Sequence, residues 1–176
     1  MDWKLGTSAA DEALLLDLLN TTPLVDGVTH ELIGNTGSGQ AWLAAHGRPT
    51  SLAEWRSTRA ARDHLQNLVR GDGGSTAPLV SLLTQVAARP RVESSGLSWD
   101  LDVPAGRTTA VIAVMTWDNL SRNSPGRLRP CDNKECQLFL IDRSKPNRAR
   151  WCSMATCGNR LKARRHYERT RRTSAG

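Results

Sequence analysis

All four cysteines of the chain fall within its last 46 residues, in two pairs of equal spacing: Cys131 and Cys136, then Cys152 and Cys157, with fifteen residues between the pairs. No other feature restricts the fold as much. A gap of four residues is short enough to put two sulfurs on the same side of one ion, so two such loops can close a tetrahedral set of four thiolates. Four sulfurs leave no coordination position for water or substrate, and the spacing favours one structural zinc ion per chain. Disulfides, an iron–sulfur cluster and four unrelated buried thiols are the alternatives.

The residues around the cysteines add a shape. Leu138, Phe139, Leu140 and Ile141 read as a short strand and Ser144 to Asn147 as a turn, which predicts a hairpin returning near Arg150 and Trp151. Ser153 can cap a helix carrying Cys157 in its first turn. A knuckle, a hairpin and a ligand-bearing helix make a small treble-clef-like zinc finger with four cysteine ligands. Gly158 is expected to let backbone amides approach the Cys157 sulfur, and Asn159 to hydrogen-bond across the knuckle.

Charge is distributed as unevenly as cysteine. Residues 1–126 hold 10 basic against 13 acidic residues, while residues 127–176 hold 14 against 4. A basic module of this kind meets a polyanion. Arg160, Lys162, Arg164, Arg165, Arg169, Arg171 and Arg172 lie on the expected C-terminal helix, and Arg143, Lys145, Arg148 and Arg150 on the hairpin. These eleven are the candidate nucleic-acid contacts. Arg160 has two options, phosphate or the face of Trp151.

The first 120 residues read as mostly helical. Leu14, Leu15, Leu18 and Leu19 recur at helical spacing within 9–20; a second segment spans 40–46, with Trp42 and Leu43 inward. Ser51 to Glu54 reads as a capping box opening a helix to about Val69, with Leu52, Trp55, Leu65 and Leu68 inward and Gly71 as its end. A further helix follows Thr76 and Pro78. Residues 91–103 alternate in polarity around Ser95 and Gly96 and predict a β-hairpin, and the apolar run 110–115 predicts a central helix. Residues 34–39, rich in glycine, read as a flexible loop, and 121–126 as a linker to the finger at 127–176. The fold class is therefore α+β.

Six Trp stand against one Tyr and one Phe. Trp42, Trp55, Trp99 and Trp117 are candidates for one ligand pocket, although packing accounts for isolated indoles more economically. His30, His46 and His64 are scattered, and neither a nucleophile motif nor a phosphate-binding glycine loop is present, so catalysis is not expected. No run is long and apolar enough to span a membrane, and the first residues lack a secretory pattern, which together predict a cytoplasmic protein.

Cys157-Gly158-Asn159-Arg160, with Arg150-Trp151-Cys152-Ser153-Met154 before it and Asp142-Arg143-Ser144 upstream, resembles the CGNR zinc finger of bacterial proteins. Asp17-Leu18-Leu19-Asn20-Thr21 and Ala41 to Gly47 resemble the ABATE domain that precedes this finger in the same family. The resemblance implies a regulator of transcription associated with stress responses. It leads to a zinc-dependent DNA-binding protein whose N-terminal domain binds a small-molecule effector, forms a homodimer, or both. RNA or ribosome binding, and a protein adaptor with a purely structural finger, are the competing expectations.

Overall fold

Helix α1 (Ala9–Leu19) begins where Ser8 and Asp11 cap each other: the Ser8 hydroxyl accepts from the Asp11 amide at 3.2 Å and the Asp11 carboxylate from the Ser8 amide at 3.1 Å. Its four expected leucines are all buried. The computed structural model describes residues 8–72, 75–94, 96–153 and 157–158. In chain order, α1 is followed by the short strands β1 (Leu24–Val25) and β2 (Val28–Thr29), then α2 (Thr36–Ala45), α3 (Leu52–Arg70) and α4 (Ala77–Leu83). The hairpin β3 (Ala87–Glu93) and β4 (Gly96–Asp102), helix α5 (Thr108–Asn123) and strands β5 (Leu128–Pro130) and β6 (Phe139–Ile141) complete the described elements. Three separate antiparallel strand pairs on a helical body make the fold α+β.

Two local expectations change. The glycines at 34–39 do not form a loop: α2 starts among them, with Asn35 and Ser38 capping each other and Gly39 buried. Gly39 is required by packing, because a Cβ there would lie 2.0 Å from the Trp55 ring. The Ser51 box is half a box. Ser51 accepts from the Glu54 amide at 3.1 Å, but the fully buried Glu54 side chain turns to α5 and accepts from the amides of Thr109 at 2.5 Å and Thr108 at 3.2 Å. Arg107, the residue before α5, provides no side-chain cap, so Glu54 serves that helix end from a distance. Leu52, expected inward, is 42% exposed, while Gly71 ends α3 in the left-handed region as expected.

The core gathers Leu15, Leu18 and Leu19 of α1, Ala61 and Leu65 of α3, Leu79 and Leu82 of α4, and Ala110, Ala113, Val114 and Leu120 of α5. Phe139, the only phenylalanine and a residue of the expected finger, is buried in the same core. A polar stripe runs along α3 beside it at helical spacing. Arg59 donates to the Gly34 carbonyl, Arg62 to Glu31 at 2.6 and 2.7 Å, Gln66 to the Leu19 carbonyl at 2.7 Å, and Arg70 to the Gln137 carbonyl. Arg62 is 1% exposed and also donates to Thr21 and Asp63. Burial works against both charges of the Arg62–Glu31 pair, yet their mutual hydrogen bonds prevail, holding Glu31 below the usual carboxylate range and Arg62 above its ordinary value.

The linker expected at 121–126 is shorter than its sequence suggests, because α5 continues to Asn123. Residues 124–127 then turn into β5. The finger is not tethered at a distance but docked: Asn20 brackets the Phe139 backbone through both amide atoms, at 2.7 and 3.3 Å, Arg70 covers the Phe139 ring at 4.7 Å, and Arg143 pairs with Glu12 at 3.0 Å. A Glu54→Ala substitution strips the buried cap from α5. It is expected to lower stability by about 1–3 kcal/mol, read as a reduced midpoint in urea unfolding, with Glu54→Gln losing less because one acceptor survives.

Candidate metal centre

The first cysteine pair sits in the loop joining β5 to β6, where Leu128 pairs with Ile141, Arg129 with Leu140 and Pro130 with Phe139. The expected hairpin is thus formed around the knuckle, not beyond it; residues 142–149 make a loop, and Arg150 meets the knuckle through one hydrogen bond from the Asp132 amide to its carbonyl. Cys131 extends the ladder by donating to the Leu138 carbonyl at 2.8 Å, and Cys136 closes a turn onto the Asn133 carbonyl at 2.8 Å. Cys157 and Gly158 both donate to the Ser153 carbonyl, at 3.1 and 3.0 Å, which curls the second pair into its own turn.

These turns bring the four sulfurs together, all within 4.8 Å of one another. Cys136 and Cys152 sulfurs lie 3.8 Å apart, and those of Cys152 and Cys157 3.6 Å apart. A disulfide needs about 2.05 Å, and all four cysteines are free. Bonds of about 2.3 Å to a single tetrahedral ion place its sulfurs roughly 3.8 Å apart. The observed spacing fits such an ion, and the four side chains would complete its coordination.

Among the described residues, three donors point at these sulfurs: the Cys152 amide at Cys131 (3.4 Å), the Leu138 amide at Cys136 (3.5 Å) and the Asn133 side chain at Cys157 (3.5 Å). Such donors stabilise thiolate charge. Burial and the crowding of like groups nevertheless push the Cys136 thiol up to about 11 and the Cys152 thiol above its ordinary value. At Cys157 burial is outweighed by the Asn133 amide and the neighbouring thiols, and the group is held below its ordinary value. A cation among the sulfurs would offset the cost of charging Cys136 and Cys152, which is the electrostatic role a metal would fill here.

Sequence reading located the ligands but not their supports. The Gly158 amide donates to the Ser153 carbonyl, and the buried Asn133 adds a side-chain contact to the Cys157 sulfur. Asp142 also passed unrecognised. Its carboxylate accepts from the amides of Ser144 and Ala149, at 2.8 and 2.7 Å, and from Arg129 at 2.5 Å, so one buried side chain shapes the loop 142–149. The signal available was Asp two residues before Ser144, a sequence that folds into an Asx turn. Those hydrogen bonds, Ser144 foremost, hold Asp142 down at about 2.

Of the eleven candidate nucleic-acid residues, four are described. Arg143 is half engaged with Glu12, and Arg150 pairs with Asp132 while lying 5.0 Å over the Trp151 ring. Arg150 is thus a described cation on Trp151, while Arg160 lies outside the described residues. Lys145 and Arg148 are exposed and make no ion pair among the described residues. Arg148 and Arg150 flank a cleft of about 370 Å3 with Asn147 and Pro130 between them. Asn159, Arg160, Lys162, Arg164, Arg165, Arg169, Arg171 and Arg172 lie outside the described residues.

The four tryptophans do not converge on one pocket. Trp42 stacks on His46 at 4.0 Å, Trp55 donates to the Ile33 carbonyl at 2.8 Å against Gly39, and Trp99 is half-buried on β4. Trp117 alone of the four lines the groove of about 660 Å3 between α4 and α5.

Two family models match the chain. One, described as "CGNR zinc finger", covers residues 127–170; the other, ABATE, described as "Putative stress-induced transcription regulator", covers residues 12–121. Among curated proteins, none matches. No described helix is long and apolar enough to cross a membrane.

Asp142 supplies a pH prediction. Its carboxyl titrates near the ordinary 3.9 or so when unfolded and near about 2 when folded. Its contribution to stability is therefore complete above the unfolded value and is lost as pH falls through the folded one. The stability gap between wild type and Asp142→Asn, measured by urea unfolding, is expected to be constant above about pH 5 and to narrow below about pH 4.

Proposed function

The chain belongs to the ABATE family and carries a CGNR zinc finger at its C-terminal side, and from this we propose that it is a zinc-dependent, DNA-binding regulator of transcription. One observation carries the reading: a closed four-sulfur site stands at the root of the most basic part of the chain. Zinc suits that site because it is redox-inert, takes thiolates tetrahedrally and needs no fifth ligand. One ion per chain would hold the Cys131–Cys136 knuckle against the Cys152–Cys157 turn. Its binding free energy adds to that of folding, since the finger's own strands are only three residues long.

The chain's own groups then do the recognition. Lys145 and Arg148 are exposed and available to phosphates, and the seven basic residues from Arg160 to Arg172 follow the last ligand with one acid, Glu168, among them. Contacts of this type give affinity and orientation on a duplex more than sequence choice. A single finger reaches few bases, so specific regulation calls for two copies on two half-sites, with the N-terminal body serving pairing or effector sensing. The reading includes no catalysis, because four protein thiolates leave no coordination position for a substrate, and DNA as partner places its action in the cytoplasm.

Binding to duplex DNA from the gene's own upstream region, with an unrelated duplex and an RNA hairpin as competitors, tests this. We expect one zinc per chain and a log–log salt slope of roughly −5 to −7. Lys145→Glu with Arg148→Glu should shrink that slope by about 2 without changing metal content. Charge reversal at Arg160, Arg164 and Arg165 should abolish binding at moderate salt. Stoichiometric zinc without affinity for either duplex at low salt would overturn the reading, and preference for the hairpin would redirect it to RNA.

A further inference from the structure

Asp142 is an acid buried in the most basic part of the chain. Residues 127–176 hold 14 basic against 4 acidic residues, and of the described acids there only Asp142 is buried. A negative charge beneath a surface that meets a polyanion opposes binding, so its presence calls for a compensating role.

That role is visible in the loop 142–149. One carboxylate oxygen of Asp142 accepts from the Ser144 amide at the start of the loop, and the other from the Ala149 amide at its end and from Arg129. Arg129 places its other two nitrogens on the Ala149 carbonyl at 3.0 Å and the Gly126 carbonyl at 2.8 Å. Arg127 bridges the Asp142 and Ser144 carbonyls, at 2.7 and 2.9 Å. Between the clamped ends the chain turns on itself: Asn147 donates its amide to the Ser144 carbonyl at 3.3 Å and takes a φ of 49°, a conformation that Asn tolerates better than most residues. Pro146 fixes its own φ and restricts Lys145 before it. Lys145 and Arg148, carried on this frame, are exposed and make no ion pair among the described residues.

We propose that Asp142 is a positioning residue for nucleic-acid binding: it holds the loop that carries Lys145 and Arg148 in one arrangement before the partner arrives, and so raises affinity for a polyanion although its own charge lowers it. A free loop must be ordered on contact and loses backbone freedom then, whereas a clamped loop presents its cations without that loss. The opposing electrostatic effect is small. One charge acting on phosphates across about 10 Å of water at physiological salt changes affinity by no more than about twofold. Because the two effects have opposite signs, Asp142→Asn separates them. Its amide nitrogen sets a donor against donors already present, so one end of the clamp opens.

This rests on the DNA-binding reading above, and the experiment lets the two fail separately. The full, metal-loaded chain is titrated with duplex DNA at moderate salt and neutral pH. Asp142→Asn is expected to keep its metal and to bind at least about tenfold more weakly, with a log–log salt slope within about 1 of wild type, since no cation is lost. In a Lys145→Ala, Arg148→Ala background the same substitution should weaken binding no further, because the loop then has no cation to position. Without DNA, the Asn147 amide, bonded to Ser144 and not to Asp142, should exchange its hydrogen at least about tenfold faster in Asp142→Asn. Arg129→Lys keeps the charge but loses the fork that joins Asp142, Ala149 and Gly126. It is expected to weaken binding in the same way, and it decides the matter if Asp142→Asn loses its metal. Binding by a metal-retaining Asp142→Asn that equals or exceeds wild type overturns the proposal and leaves the DNA-binding reading intact, as does a loss that persists in the double-alanine background. Wild type without affinity for any duplex overturns both.

Discussion

Helix α3 holds together parts of the chain that have too little regular structure to satisfy themselves. Buried carbonyls outside helices and sheets need donors, and the segment between α1 and α2 has only two-residue strands to supply them. Arg59, Arg62 and Gln66 reach that segment at Gly34, Glu31 and Thr22, and Arg70, one further turn along, reaches the finger at Gln137. At the other end of the same helix, Glu54 completes α5. A buried arginine is costly unless every part of its head is engaged, and Arg62 meets that condition with Glu31, Thr21 and Asp63. One helix thus orders the body, caps its central neighbour and supports the metal site from beneath.

That support bears on what a metal does in this chain. A free-standing finger of this size would rely on its ion for almost all of its order. Here Phe139, one strand away from Cys136, is already buried in the core of the body, and Asn20 fixes its backbone from both sides. The β5–β6 ladder and Cys131 are thereby anchored by packing as well as by any ion. Among the described residues, the second pair has less: Cys152 is tied by its amide to the Cys131 sulfur, and Cys157 by the Asn133 side chain and its amide to the Ser153 carbonyl. A bound ion would do most of its work on that second pair.

What the sequence disclosed and what it withheld divide by the range of the interaction. The leucines of α1, the cap at Ser51, the stop at Gly71 and the paired cysteine gaps are signals written within a turn or two of chain, and each is found where local reasoning places it. Residues 34–39 read as a loop because glycine usually breaks helices, but the reason for Gly39 is Trp55, sixteen residues away. Glu54 looks like half of a local box until α5, more than fifty residues on, claims its carboxylate. Tryptophan is similarly ambiguous: its abundance suggested a pocket, and only the tertiary contacts show Trp55 engaged with Ile33 and Gly39 and Trp42 with His46. Polar residues such as Asn133 and Asp142 leave the faintest trace, since their partners are backbone amides that any sequence supplies.

The short connection between body and finger limits how a signal could pass between them. With α5 continuing to Asn123, only residues 124–127 separate it from β5, and docking through Phe139, Arg70 and the Arg143–Glu12 pair removes most of the freedom those residues would have allowed. An effector changes DNA affinity only through a difference in its binding to two states. A finger embedded in the body's own core offers few alternative orientations within one chain. A signal acting on the body would therefore act on the docked β5–β6 ladder as well, since α3 holds both through Arg62 and Arg70.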